Sequence, residues 1–174
     1  MFQTQLPVDR MNGVTGWAVV NDETENIAAA TASILGSASV EFDKVAGDTK
    51  LAAIAKTQDG PLNIDRGGVF WKPHDRVSWL IQIPDLTNVA YSFVRLGTDV
   101  SNYCEWRVVD ASHAAGRFTL CDVAIGDAYV TGAGWDPSSV PYVVAGVAFD
   151  ANANTLANLQ WDAIWLEHAT LVRT

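Results

Sequence analysis

The second half of the chain is a succession of short, strand-like runs separated by turn signals. The clearest run is 76–83, in which Val77, Trp79 and Ile81 recur at every second position. Such alternation is what a half-buried strand requires, because successive side chains lie on opposite faces of a sheet. Similar runs follow at 88–96, 102–109, 116–123, 142–149 and in the final LQWDAIWLE stretch. This order predicts an all-β fold, an antiparallel β-sandwich or jelly roll.

The first fifteen residues show no such periodicity. Pro7, Asn12 and Gly13 interrupt any regular element there,. We therefore predict an extended N-terminal arm over 1–15, followed by a single jelly-roll domain over 16–174. A chain of 174 residues is long enough for one domain with a sizeable core,.

Three segments of the first half are less regular. Residues 21–34 are polar and then rich in alanine, so a short helix is one interpretation, which Thr24 weakens,. Residues 51–56 are compatible with a strand or a helical turn. The glycines and proline of 57–68 predict a loop with at most one short strand.

Composition excludes several classes of protein. Hydrophobic residues make up 49% of the chain, too many for a disordered segment,. The net charge of −9 argues against binding to nucleic acid or to an anionic membrane, since no basic face is available,. The sequence has no apolar run of membrane-spanning length and no signal-peptide core at its start. We therefore expect synthesis in the cytoplasm without secretion by a signal peptide.

The two cysteines fall in neighbouring predicted strands. If 110–115 is a turn joining 102–109 to 116–123 in a hairpin, Cys104 lies opposite Cys121. Two interpretations remain open, a disulfide or a pair of small buried thiols. A zinc site is disfavoured because neither cysteine has a partner at ligand spacing.

No motif in the chain describes an active site. The sequence contains neither a phosphate-binding glycine loop nor a GxSxG nucleophile elbow,. His74, His113 and His168 have no companions at metal-ligand spacing, and most aspartates lie where strands end. We predict that the protein is not an enzyme, has no catalytic residue and needs no cofactor, apart from the calcium alternative below.

Seven tryptophans in one domain invite a sugar-binding interpretation, because indole faces stack on sugar rings. Trp79 and Trp106 fall on apolar strand faces and are predicted to lie in the core. On the strand that carries Trp106, Tyr103, Glu105 and Arg107 are predicted to share the opposite face,. Trp71 and Trp135 lie in loops and are the two candidate exposed platforms, although each would also serve to anchor its loop.

Asp162 lies in the last predicted strand, between Trp161 and Ala163, and would be costly if buried alone,. It could accept hydrogen bonds, pair with Arg173 or bind a structural Ca²⁺. In the calcium alternative, carbonyl oxygens come from the region of the first strand, and Asn21, Asp22 and Glu25 supply further oxygens. In this strand Trp161 and Trp165 are predicted to share a face.

The run 142–149 is apolar at both phases, so both of its faces should be covered,. The cover could be the 124–139 loop, the N-terminal arm or a neighbouring subunit. The last possibility makes this strand a sign of assembly. The predicted assembly interface comprises Phe2, Leu6, Pro7, Val8, Tyr142 and Val144.

Several pieces of the sequence together resemble a known class of domain. They are GWAVVNDETENI, GSASVEFDK, VRLGTDVSNYCEWRV, and VAGVAFD followed by LQWDAIWLE. In this order they resemble jelly-roll domains of the galactose-binding-like and carbohydrate-binding-module type, as found in virion proteins of tailed bacteriophages. In sugar-binding relatives a Glu commonly precedes the Gly of the second strand and joins a Ca²⁺ site with the late Asp. Here Asp162 matches the late Asp, but Leu35 stands before Gly36.

The resemblance implies a structural role on a phage particle. The favoured hypothesis is a capsid decoration or stabilising protein on the head surface of the virion, bound to the major capsid protein and to copies of itself as a trimer. The alternative is a non-catalytic, lectin-like carbohydrate-binding module, or a receptor-binding protein on a tail or fibre. In the glycan-binding alternative a cell-surface glycan is recognised through Trp71, Trp135 or Tyr103.

Overall fold

A computed structural model describes residues 5–65 and 72–168, which fold almost entirely into strands. The strands, in chain order, are β1 (Gln5–Asp9), β2 (Trp17–Val19), β3 (Thr24–Ala30), β4 (Ser39–Lys44), β5 (Leu51–Leu62), β6 (Arg76–Gln82), β7 (Val89–Gly97), β8 (Tyr103–Val109), β9 (Phe118–Ala124), β10 (Val130–Thr131), β11 (Val140–Phe149) and β12 (Leu156–Glu167). Two single-turn 3-10 helices follow β8 and β9.

The strands form two stacked antiparallel sheets. The first sheet has the order β3-β4-β12-β6-β9, and β1 also pairs with β12. The second sheet has the order β10-β8-β7-β11-β5-β2. The predicted all-β antiparallel sandwich is therefore confirmed.

Tryptophans fill the space between the sheets. Trp79 and Trp161 of the first sheet stack with ring centroids 6.3 Å apart, and Trp106 enters from the second sheet. The Trp79 Nε1 donates to Ser92 Oγ at 3.2 Å, and the Trp106 Nε1 donates to the Ile125 carbonyl at 3.1 Å. Their burial therefore leaves neither of these two polar atoms unsatisfied. The core positions predicted for Trp79 and Trp106 are confirmed.

The N-terminal segment is part of the sandwich rather than a free arm, which corrects the sequence-based expectation. β1 pairs with the second half of β12, with Leu6 opposite Leu166. Leu6 and Val8 are buried in the main core. Pro7 is compatible with β1 because this strand has a pairing partner on one side only, and proline within sheets is confined mainly to such edge strands,. Residues 1–4 lie outside the described part.

Two other segments differ from their predicted conformation. The alanine-rich stretch is strand β3 rather than a helix, and its pairing with β4 shifts register beyond Glu25, next to Asn26 with φ 54°. β5 continues to Leu62 through a region predicted as a loop. In both cases pairing with a neighbouring strand outweighs local propensity.

The predicted Cys104–Cys121 hairpin is wrong because the two strands belong to different sheets. β8 pairs with β7 and β10, whereas β9 pairs with β6. Both cysteines are free and buried. Burial raises the pKa of the Cys104 thiol and raises that of Cys121 to about 12.

We expect Leu6→Ala to destabilise the fold by about 2–5 kcal/mol, because it removes buried methyl groups from the core. The matched control is Gln5→Ala at the exposed neighbouring position, which should change the free energy of unfolding by no more than about 0.5 kcal/mol. Urea unfolding measures both. Equal stability of the two variants would restore the free-arm interpretation.

We also expect both thiols to resist modification in the native protein. A thiol whose pKa is raised by burial stays protonated near neutral pH, and only the thiolate is reactive. Titration with an aromatic disulfide reagent should be slow in buffer and should detect two thiols per chain in denaturant without reductant. Fast native labelling, or no thiol after denaturation, would contradict this arrangement.

Candidate ligand-binding face

Strand β11 is apolar on both faces, and side chains of neighbouring strands in the same sheet cover its outer face. The residues of β11 that point toward the other sheet belong to the main core. Those that point away from it include Val144, which is buried in a second small cluster with Ala53 and Phe93. The Phe93 ring lies across Gly146, where an added Cβ would come within 2.5 Å of the ring. Side chains of β5 and β7, rather than a loop, an arm or a second subunit, therefore bury Val144.

The same outer surface carries a cluster of aromatic and charged side chains beside Val144. Alternation along β8 turns Tyr103, Glu105 and Arg107 outward, as predicted, while Cys104 and Trp106 turn inward. β7 places Phe93 opposite Arg107 and Arg95 opposite Glu105. We call the set the tyrosine–arginine face; its members are Tyr91, Phe93, Arg95, Tyr103, Glu105, Arg107, Tyr129 and Tyr142.

A single buried carboxylate organises this face. Glu105 is 1% exposed. The Arg95 Nε donates to Glu105 Oε2 at 2.5 Å, and the Arg107 Nε donates to Glu105 Oε1. Charge-assisted hydrogen bonds of this kind satisfy the carboxylate and fix both guanidinium groups.

Each guanidinium also lies against two aromatic rings. The Arg95 Cζ is 4.8 Å from the Phe93 ring centroid and 4.7 Å from that of Tyr103. The Arg107 Cζ is 4.2 Å from the Tyr91 centroid and 3.4 Å from that of Tyr129. Cation–π contacts on both sides restrict the orientation of the arginine side chains.

The tyrosine hydroxyls on this face are available to a ligand. Within residues 5–65 and 72–168 no hydroxyl of Tyr91, Tyr103, Tyr129 or Tyr142 has a hydrogen-bond partner, and none is a buried unsatisfied atom. Burial raises the pKa of Tyr91 and Tyr142, so both phenols stay protonated at neutral pH. Each can donate and accept a hydrogen bond.

Of the two predicted glycan platforms among the described residues, Tyr103 lies on this face and Trp135 does not. Trp135 lies in a neighbouring loop, which is tied to β8 by the hydrogen bond from Gly132 N to the Tyr103 carbonyl at 2.8 Å. Its indole is partly buried against the main core, as expected of a loop anchor. Trp71 lies outside the described residues.

Tyr91, Arg95 and Arg107 were not predicted from the sequence to contact a ligand. The pattern that could have indicated them is the two-residue period on their strands, which they share with Phe93 and Tyr103. The pairing of β7 with β8 was needed to see that these residues meet.

The predicted assembly interface does not form a common surface. Leu6 and Val8 are in the main core, and Val144 is buried in the outer cluster of the second sheet. Pro7 is exposed on the first sheet, and Tyr142 is half-buried on the second. Phe2 lies outside the described residues.

Asp162 accepts two hydrogen bonds through one of its carboxylate oxygens. Its Oδ2 accepts from the backbone N–H of Ile34 at 2.5 Å and of Leu35 at 2.6 Å, whereas its Oδ1 is buried with no hydrogen-bond partner among the described residues. No three acidic, histidine or cysteine side chains among the described residues lie close enough to hold a metal ion, so Asp22 and Glu25 do not form a carboxylate cluster with Asp162. A structural Ca²⁺ held by carbonyl oxygens stays a prediction. The oxygen of Asn21 accepts from Thr24, and Arg173 lies outside the described residues.

A register shift at Asp162 also separates two tryptophans that were predicted to share a face. Pairing with β6 slips between Trp161 and Ala163. As a result Trp161 enters the core, whereas Trp165 turns outward and lines a groove of 1090 Å³ on the first sheet. Leu80 and Leu120 contribute to the groove, which is mainly apolar and also includes Asp9 and Arg10 in its lining.

The histidines are less isolated than their spacing suggests. The His168 Nδ1 lies 2.7 Å from Oδ1 of the buried Asp75. His113 is half-buried, and burial lowers its pKa.

No helix among the described residues has the length and apolar character needed to cross a membrane.

The fold is shared with solved carbohydrate-binding modules. A family 11 module from Clostridium thermocellum, in complex with a β-1,3-1,4-mixed-linked tetrasaccharide, aligns with 95% of this chain and 96% of its own at a TM-score of 0.62 and 10% identity. A family 30 module of a cellulosomal cellulase from Clostridium thermocellum aligns over 95% of this chain and 98% of its own, with a TM-score of 0.64 and 12% identity. An exo-β-agarase aligns over 96% of this chain and 25% of its own, with a TM-score of 0.63 and 9% identity.

No protein-family model and no curated protein matches the sequence. At such identities the structural likeness establishes the β-sandwich jelly roll. The tyrosine–arginine face therefore has to be interpreted from its own residues.

We expect Gly146→Ala to destabilise the protein by about 1–3 kcal/mol, a cost typical of overpacking. The new methyl would lie 2.5 Å from Phe93 Cζ and 2.7 Å from the Ala52 carbonyl oxygen. The control is Gly60→Ala, whose methyl would meet nothing within 4 Å. Thermal unfolding compares them, and an unchanged midpoint for Gly146→Ala would show that Phe93 does not lie across this strand.

Proposed function

We propose that the protein is a non-catalytic carbohydrate-binding module that holds a glycan on the tyrosine–arginine face. The observation that carries the proposal is the combination of four tyrosines with two guanidinium groups fixed by one buried Glu105. Aromatic rings supply apolar faces for sugar rings, and the hydroxyl and N–H groups beside them supply directional hydrogen bonds.

The architecture supports the same proposal. Several solved structures that share the jelly roll over nearly the full chain are carbohydrate-binding modules, one of them with a bound tetrasaccharide. The face is preorganised for binding, because Glu105 and the aromatic rings already restrain the two arginine side chains. Such preorganisation reduces the entropy lost on binding.

We expect Tyr103→Ala and Tyr142→Ala each to weaken glycan binding about tenfold, equivalent to ~1.4 kcal/mol. Affinity electrophoresis and calorimetry against a panel of soluble polysaccharides provide the measurement, with urea unfolding to verify the fold. The control is Leu120→Ala, an exposed apolar residue on the other sheet, which should bind like the wild type. Unchanged affinity in both tyrosine variants would move the site elsewhere, and no binding to any polysaccharide would overturn the proposal.

The capsid decoration hypothesis ranks below glycan binding. Neither the structure nor the comparisons link the chain to phage virion proteins, a capsid partner or a trimer. The two features that suggested assembly are accounted for within a single chain, since β1 is a strand of the sandwich and the outer face of β11 is covered within its own sheet. A virion location stays a prediction, testable by quantifying this chain against the major capsid protein in purified particles.

A further inference from the structure

We propose that the saccharide recognised by the tyrosine–arginine face carries an anionic group, a carboxylate or a sulfate, which Arg95 and Arg107 bind. This inference rests on the proposed function, because it names the class of glycan for the same face.

The first reason is the set of donors left free on the two arginines. Each guanidinium uses its Nε to bind Glu105. Within the described ranges, the terminal nitrogens of Arg95 and Arg107 have no hydrogen-bond acceptor. The terminal pair of a guanidinium forms a planar fork of parallel N–H donors, which matches the two oxygens of a carboxylate or sulfate.

The second reason is the lack of a free carboxylate acceptor in the same network. Both oxygens of Glu105 are occupied, and its side chain is 1% exposed. A neutral sugar presents hydroxyls that donate as well as accept, so its recognition benefits from a carboxylate that accepts. Among the described side chains of this face, the tyrosine hydroxyls remain as acceptors, while the two guanidinium groups donate. A ligand group that only accepts hydrogen bonds, such as a carboxylate or a sulfate, therefore fits these donors better than a sugar hydroxyl does.

The third reason is the local charge. The network contains two guanidinium groups and one carboxylate, which leaves one net positive charge in a chain whose overall charge is −9. At physiological salt the Debye length is about 8 Å, so distant acidic residues are largely screened at this site. The arginines are near the surface, with side chains 19% and 23% exposed. A ligand charge placed on the face is therefore influenced mainly by these groups.

The ring contacts keep the donors in place. Arg95 and Arg107 each lie against two aromatic rings, and Glu105 holds them from below the surface. A guanidinium group that is disordered before binding loses side-chain entropy when it forms a bidentate contact, and this loss reduces the affinity. Here the face presents both forks already oriented, next to tyrosine rings that can contact the sugar carrying the anion.

The test compares one polymer with and without its carboxylate charge, and adds a sulfated and a neutral polymer. Calorimetry on the full chain would use polygalacturonate, the same polymer with its carboxylates methyl-esterified, a sulfated galactan and a neutral β-glucan. We expect polygalacturonate or the sulfated galactan to bind at least tenfold more tightly than the neutral polymers, and binding of the charged polymer to weaken between 50 mM and 500 mM salt. Whichever of the two charged polymers binds shows whether the face recognises a carboxylate or a sulfate.

Arg107→Lys is the matched variant, since it keeps the positive charge but removes the planar fork. It should reduce the affinity for the anionic polymer several-fold, and by a larger factor than it reduces the affinity for a neutral polymer. If this variant unfolds, the comparison of charged with neutral polymers on the wild-type protein still decides the question. If neither polygalacturonate binds more tightly than its ester nor the sulfated galactan more tightly than the neutral β-glucan, while some glycan binds, the anionic inference is overturned and the glycan-binding proposal stays intact. No binding to any of the four polymers overturns both.

Discussion

The sandwich depends on the burial of tryptophan indoles between its two sheets. Trp79 and Trp161 stack on adjacent strands of one sheet, and Trp106 projects inward from the other. An aromatic side chain buries a large apolar area, and the transfer of that area out of water is the main favourable contribution to folding. Because the core fixes the inward phase of each strand, it also fixes which residues face outward.

The candidate binding face follows directly from that constraint. On β8 the inward Trp106 lies between Glu105 and Arg107, so its burial sets the position of both charged side chains. Glu105 is buried although it points away from the main core, since Arg95 and Arg107 cover it. An uncompensated carboxylate at such a position would cost several kcal/mol. The pair of arginines thus serves the stability of the sheet and the chemistry of its surface together.

Local periodicity was sufficient to predict the class of fold but not the pairing of strands. The alternation in 76–83 and 102–109 correctly placed Trp79 and Trp106 in the core and put Tyr103 with Glu105 and Arg107. The sequence-based hairpin failed because the chain crosses between sheets after β8, and no local signal distinguishes a crossover from a turn. β1 was missed since Pro7 is acceptable on a strand with one partner,. The tyrosine–arginine face required the register of β7 against β8, which is a long-range property.

The register shift at Asp162 makes β12 two half-strands with different neighbours. Before the shift the strand pairs with β4, and after it the same edge pairs with β1. The extra residue brings Trp161 and Ile164 to the same side, although they are three positions apart. Removing or adding one residue there would turn every side chain of the second half to the opposite face. The number of residues in this stretch is therefore as much a condition of the fold as the apolar side chains that it buries.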